Sequence, residues 1–480
     1  AALPVLAALI DHSLVRQGGA PGAAAGRYDL PDLVRQFAAE RLAEAGADEG
    51  ATRARHGRHY LAALAAQAGA LRGARQQESA RAIAREADNL RAAWAWACAA
   101  GEAELLGRAA DGLFFFVEMR SWFREGVELF GQAAARLEAL CASEPAPEAM
   151  VAWGKLLARR GWCAFQIGRP GEAREQLERS LALLRAAGAG AELVVPLNYG
   201  AACAYYAGEY GRAEVLAGEA LAAAQVWGDR YGASVALTVF GQIATLVGRY
   251  DDARRYSEQS LAIERELGNS WGMVFPLISL GRVARATGDY QTAQRCFQEG
   301  LAIRQTFGDA RGVALCLGYL GDTAAAQGDH PEAAWCYREA LALFRDIANL
   351  AGAVSALVRL SDAALAMGDE GAARAALGEA LGAARGAGSL PHTLEALSGL
   401  ALALARPEGP RARELAALVR GHPAATQESR DRAARALREA GAPVGDDAPP
   451  PADLDTIVEQ ALAELAGPRR SLDVPSTPAP

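Results

Sequence analysis

Residues 277–301 read Leu277-Ile-Ser-Leu-Gly-Arg-Val-Ala-Arg-Ala-Thr-Gly-Asp-Tyr-Gln-Thr-Ala-Gln-Arg-Cys-Phe-Gln-Glu-Gly-Leu301. Leu277, Leu280, Ala284 and Thr287 step by three and four, the spacing of one helical face. Gly288 and Asp289 then interrupt the helix: glycine accepts a positive φ, and aspartate caps the helix that follows. Ala293, Phe297, Gly300, Leu301 and Arg304 carry the pattern into a second helix. The stretch predicts two helices joined by a tight turn, and it does not stand alone. The glycine recurs every 40 residues, at 168, 208, 248, 288, 328 and 368. Alanine follows at 173, 213, 253, 293, 333 and 373, and leucine at 181, 221, 261, 301, 341 and 381. Upstream, leucine returns at 157, 197, 237, 277, 317 and 357, and alanine at 164, 204, 244, 284, 324 and 364. A further glycine at 188, 228, 268, 308 and 388, with Ala348 as the exception, is expected to end each second helix. Small residues (Gly161, Ala201, Gly241, Gly281, Gly321, Ser361) are expected to meet a second small column (Ser180, Ala220, Ser260, Gly300, Ala340, Ala380), where the helices approach closely. One pair cannot bury its own apolar face, so the units must stack into an all-α solenoid.

Composition narrows the function. The 480 residues are 51% apolar and 22% charged, a length that alone would suggest several domains. Lys155 is the only lysine among 49 basic residues, and Leu156 follows it. A phosphate-binding loop needs lysine followed by Ser or Thr, so none is encoded here. The net charge of −8 argues against a nucleic-acid-binding face. Histidines 12, 56, 59, 330, 392 and 422 form no zinc motif, and no two of the seven cysteines lie closer than 20 residues. Dispersed thiols fit a reducing, cytoplasmic setting. Tyr231 to Gly248 carries no charge over 18 residues, but its place in the repeat explains it as a buried helix, not a membrane span. The chain opens on Ala1 without a leader, which suggests part of something longer and not a secreted protein.

The order Leu-x-x-Leu-Gly-x-x-Ala, then Gly-Asp-Tyr-x-x-Ala-x-x-x-Phe-x-x-Gly-Leu, resembles the tetratricopeptide repeat. The usual period is about 34, and the six extra residues are expected between the second helix and the next first helix. The longer form is similar to the repeats of maltose-activator-type regulators and kinesin light chains. The resemblance implies a right-handed α-solenoid of about seven 40-residue hairpins. Six units span 154–393, a degenerate seventh with a shortened turn (Arg406 to Pro410) and a cap span 394–440, and 112–153 is an irregular unit.

The flanks resemble the same multidomain regulators. In residues 1–46 a helix (Leu3 to Asp11), a hairpin (Ser13–Gln17 with Gly26–Leu30) and an amphipathic helix (Pro31 to Ala45, with Leu33, Val34, Phe37, Ala38 and Leu42 on one side) suggest a winged-helix remnant. Tyr28-Asp-Leu-Pro-Asp-Leu-Val-Arg resembles the Met-His-Asp-Leu-Val-Arg segment of signal-transduction ATPases with numerous domains. Pro31 stands where that family's nucleotide-reading histidine would be, while Asp32 matches. Acidic neighbours offset Arg16, Arg27, Arg35 and Arg41, so no basic face stands out. Residues 47–111, with Arg85-Glu-Ala-Asp-Asn-Leu-Arg-Ala-Ala-Trp-Ala-Trp96, resemble the helical arm that follows. His56, His59, Trp94 and Trp96 are read as packing. Residues 441–480 hold a Pro/Asp linker, a short amphipathic helix (Leu454 to Leu465) and a polar tail.

The resemblance places binding on the concave face lined by first helices: Trp162, Phe165, Asn198, Tyr205, Tyr206, Gln242, Arg282, Arg285 and Asp322, with Asp362 further along. Aromatic residues and arginine are over-represented in binding hot spots, and arginine clamps carboxylates. The competing reading has Trp162 and Phe165 plugging the junction with the arm, and Arg282 and Arg285 paired with aspartates of neighbouring units. Phe307, Trp227 and Trp271 are read as packing. The expected function is a non-catalytic sensor for a protein, peptide or small-molecule inducer within a larger regulator. It would contact an upstream ATPase part, where any ATP or ADP would bind; no cofactor, metal, nucleic acid or membrane is assigned to the chain itself. The rival readings are a scaffold that docks a partner without switching, and an enzyme, for which no catalytic constellation stands out.

Overall fold

The computed structural model describes residues 2–17, 28–44, 47–143, 146–405, 409–441 and 454–466. The chain begins with α1 (Ala2–Asp11), β1 (Arg16–Gln17), β2 (Tyr28–Asp29) and α2 (Asp32–Glu44). β1 and β2 pair antiparallel, Arg16 opposite Asp29 and Gln17 opposite Tyr28. The expected hairpin therefore forms, in shorter strands; Gly26 and Arg27 of its second half lie outside the described residues, as do most of the turn before Pro410, the linker and the tail. Among the described residues the expected apolar side of α2 is covered only in part: Val34 and Leu42 are half-buried, but Leu33 is 81% and Phe37 56% exposed.

The arm comprises α3 (Ala47–Leu71), α4 (Gln76–Arg85), α5 (Ala87–Ala100) and α6 (Ala103–Met119), and α7 (Phe123–Ser143) leads into the hairpins. These are α8 (Pro147–Gln166) with α9 (Pro170–Ala186), α10 (Val194–Tyr206) with α11 (Tyr210–Trp227), and α12 (Arg230–Leu246) with α13 (Tyr250–Leu267). α14 (Ser270–Ala286) pairs with α15 (Tyr290–Phe307), α16 (Ala310–Ala326) with α17 (His330–Asp346), and α18 (Leu350–Ala366) with α19 (Glu370–Gly386). α20 (Leu390–Ala403), α21 (Gly409–Gly421), α22 (Gln427–Glu439) and α23 (Leu454–Ala466) close the array. The charge-free stretch at 231 is α12, and no described helix is long and apolar enough to cross a membrane.

Local chemistry accounts for the punctuation. Gly288 has φ +83°, and the Asp289 carboxylate accepts from the Thr292 N–H at 3.0 Å. Ala348 takes φ +52° where the other units use glycine, so the chain imposes a left-handed conformation on a residue with a Cβ. First helices are capped as well. Asp229, Asn269, Asp309 and Asn349 accept from the N–H of Gly232, Gly272, Gly312 and Gly352, a column the periodic reading passed over.

Two expectations need correction. The six extra residues do not make a longer connection: α15 runs to Phe307 and only Gly308 and Asp309 separate it from α16, so the added length goes into the helices. Nor do the two small columns meet. In an antiparallel hairpin, residues equidistant from the turn face one another, so Gly281 meets Phe297 and Gly321 meets Tyr337. The second column faces residues further back: the Ser180 hydroxyl donates to the Gly154 carbonyl at 2.7 Å, and Ser260 to that of Ser234 at 2.9 Å.

The arm does more than precede the solenoid. It packs against later units, so Trp271 and Phe307 share one hydrophobic core with Leu64, Trp94, Phe114 and Phe130. Gln76 in α4 donates to the Asn269 side chain and accepts from the Trp271 backbone N–H at 3.1 Å, across 193 and 195 residues of chain. The lone lysine is structural: Lys155 lies 3.0 Å from Glu192 and 3.5 Å from Asp111. Burial alone would raise the Asp111 carboxyl, but Arg159, Lys155 and Arg72 hold it below the usual carboxylate range. Trp94 is buried, donating to the Leu129 carbonyl, and Trp96 covers Gly57, which agrees with packing roles. Trp227 departs from its packing assignment: it lies over Gly190 but stays largely exposed.

Candidate functional site: the inner face

First helices two units apart come within hydrogen-bond reach. The Arg282 guanidinium on α14 donates to the Tyr205 hydroxyl on α10 at 3.0 Å, passing α12, so the first helices line the inner, concave side. The expected site residues separate into three groups along this face.

The first group is absorbed by packing. Trp162 is 8% exposed; its ring stacks on Tyr199 at 4.8 Å and its N–H donates to Glu118 of α6 at 3.0 Å. It plugs the junction with the arm, as the competing reading had it. Asn198 is buried, and its amide donates to the Gly232 carbonyl at 2.9 Å, tying α10 to α12. A contact with an outside ligand does not fit either side chain in the free chain. Position in the unit does not decide this: Trp162 stands at the same place in its repeat as Gln242, Arg282 and Asp322, and is covered because the arm packs on the first unit.

The second group is self-neutralised. Asp322 accepts from the Tyr337 hydroxyl at 2.9 Å, with Arg359 at 3.7 Å and Arg285 at 4.0 Å. Asp362 pairs with Arg432 of α22 at 3.3 Å, and Arg359 also reaches Glu428 at 3.4 Å. Burial pushes the Asp362 carboxyl up against the pull of Arg432, and Arg359 holds Glu428 down. Here arginines and acids of successive first helices satisfy one another, as the competing reading had it for Arg285.

The third group remains open. Tyr206 is 58% exposed, with Phe165 tilted against it at 5.6 Å between ring centres; Tyr205, edge-on at 5.0 Å, is itself buried like Trp162, so the contact expected of it does not fit. Gln242 is half-buried on α12, between α10 and α14. Among the described residues, Arg282 has no carboxylate within 4 Å; its hydrogen-bond partner is a neutral phenol rather than the aspartate expected of it. Arg311, at the start of α16, also lacks an ion pair and rests over the Phe123 ring at 6.0 Å. The sequence reading missed Arg311, because a helix-start position carries no inner-face signature. Its charge nevertheless reaches both Tyr206 and Glu118. The near half of the inner face therefore offers two guanidinium groups and exposed aromatic surface side by side. That pairing suits a group that is both anionic and partly apolar. Among the described residues no three His, Cys, Asp or Glu gather as metal ligands.

The chain is a tetratricopeptide-type α-solenoid with an arm docked against it, and residues 275–346 match the tetratricopeptide repeat model. Over 131 residues it is 36% identical to proteins of Mycobacterium bovis and Mycobacterium tuberculosis named as HTH-type transcriptional regulators. The match covers 27% of this chain and spans only 14% of those relatives. A solved Signal Transduction ATPase with Numerous Domains protein with a tetratricopeptide repeat sensor, from Pyrococcus horikoshii, aligns with 96% of this chain and 60% of its own. The TM-score is 0.51 at 15% identity, a likeness of fold.

Proposed function

We propose that the chain is the sensing and partner-binding part of a larger signal-transduction regulator, and that it takes a carboxylate-bearing peptide or small ligand on the near half of its inner face. One observation carries the reading: among the described residues neither Arg282 nor Arg311, beside the exposed Tyr206, has a carboxylate within 4 Å, while Arg285, Arg359 and Arg432 of the far half have theirs. A buried or half-buried guanidinium without a counter-charge is a standing demand for one. The aromatic ring next to it supplies contact area at low entropic cost. The order of hairpin-bearing N-terminal segment, arm and solenoid, together with the likeness to a protein that carries a repeat sensor, supports placing the site within a regulator. Because the arm packs on the same units, occupancy of the inner face has a route to the arm through Trp162 and Glu118.

The test is fluorescence polarisation of labelled peptides carrying one aromatic residue and a free C-terminal carboxylate, against the 480-residue chain. The free acids should bind, their C-terminal amides should bind at least tenfold more weakly, and Arg282→Ala should remove the difference. Equal affinity for acid and amide, or an unchanged preference in the variant, would sink the reading.

A further inference from the structure

The seam between arm and solenoid holds a second feature that the inner face does not use. Beside the Gln76–Asn269 contact lies a cleft of about 550 Å3, lined by Arg75, Arg81 and Arg85 from the arm and by Ser270 and Phe307 from the solenoid. We propose that this cleft binds a small phosphate-bearing anion.

Three observations converge. The chain is net −8, yet Arg75 and Arg81 line the cleft with the single carboxylate of Glu78, beside Arg85, which has a partner of its own. Some outer-face arginines are matched to glutamates of neighbouring helices, as in Arg185–Glu219 at 2.9 Å, Arg212–Glu178 at 2.7 Å and Arg249–Glu214 at 2.6 Å. Among the described residues, Arg75 and Arg81 form no ion pair at all. Finally, the walls are held in fixed register. Gln76 bonds the Leu71 carbonyl at 2.8 Å as well as Asn269 and Trp271, and a Cβ on Gly268 would lie 3.0 Å from that of Ala74.

Arginine forks match phosphoryl oxygens in pairs. A cleft of this volume suits a small organic ligand, roughly 300–1,000 Å3 being usual. A protein partner would need a broad surface, whereas here the charge is gathered in one recess.

Isothermal titration of sodium pyrophosphate into the full chain, at 0.1 M NaCl, tests the assignment, with adenosine diphosphate as a second probe. Saturable binding of one equivalent is expected. The double variant Arg75→Ala/Arg81→Ala should weaken it at least tenfold, and the paired outer-face variant Arg185→Ala should leave it unchanged. Both altered arginines are exposed and unbonded, so the variant folds as the parent does, checked by circular dichroism. If adenosine diphosphate binds at least as tightly as pyrophosphate, the assignment gains an organic phosphate as its ligand class. No saturable binding, equal affinity in the double variant, an equal loss in Arg185→Ala, or binding of a hexaglutamate peptide in place of either phosphate would overturn it.

Discussion

Glu118 sits where arm and solenoid meet, and its replacement by glutamine gives a prediction with a definite sign. The carboxyl is buried and accepts one hydrogen bond, from Trp162. Burial pushes its pKa up to about 7, against the Trp162 bond and the charges of Arg304 and Arg311. In the unfolded chain the same group titrates near 4.5. Between those values the folded protein binds the extra proton, so stability is greatest at low pH and falls as pH rises from about 4.5 through about 7. By pH 8 ionised Glu118 costs on the order of 3 kcal/mol, at about 1.4 kcal/mol per pH unit. Glutamine is uncharged at every pH and keeps an oxygen for the Trp162 N–H. Glu118→Gln should therefore match the parent near pH 5 and exceed it at pH 8 by about 1–3 kcal/mol. Near-UV circular dichroism melts at pH 5, 6, 7 and 8 read this out as a difference between the two proteins. Buried Glu264 and Glu395 are raised by burial as well and slope both curves alike, so the difference isolates Glu118. A gap that stays constant with pH, or a variant less stable than the parent at pH 8, would refute the reasoning and leave Glu118 ionised against its arginines.

Three further outcomes follow from packing. Gly281→Ala would set a Cβ 2.6 Å from the buried Phe297 ring; overpacking of about 1–3 kcal/mol should outweigh the ~1 kcal/mol gain in helix propensity and lower the melting point. Ala348→Gly relieves a positive φ and should raise stability by about 0.5 kcal/mol, the relief exceeding the entropy that glycine adds to the unfolded chain. Gln76→Ala leaves the Trp271 backbone N–H and the Asn269 side chain short of partners, costing about 1–3 kcal/mol. Hydrogen exchange should then quicken at residues 268–272 and leave 348–352 unchanged.

The repeat was legible because each unit must solve the same stacking problem, so Gly288 and its counterparts, and even the exception at Ala348, announce the turns directly. Helix lengths were harder: a fixed period of 40 does not say whether extra residues extend a helix or a loop, and here the Gly308–Asp309 turn shows the former. Site residues were legible only in part. Tyr206 and Arg282 lie on the inner face as expected, but Trp162, at the same place in its unit as Arg282, is covered by the arm, and Asn198 serves the α10–α12 contact. Arg311 carried no column signal. The arm seam was beyond any reading of periodicity, because Gln76 and Asn269 meet through the winding of the whole array and not through a pattern either segment carries.

The central claim is that the near half of the inner face, and not the outer helices, receives the ligand. Hydrogen exchange of the 480-residue chain with and without a saturating free-carboxylate aromatic peptide addresses it most directly. Protection concentrated in residues 199–207, 279–286 and 310–315 is predicted. Protection confined to the outer helices α11, α13 and α15, with those segments unchanged, would contradict the account.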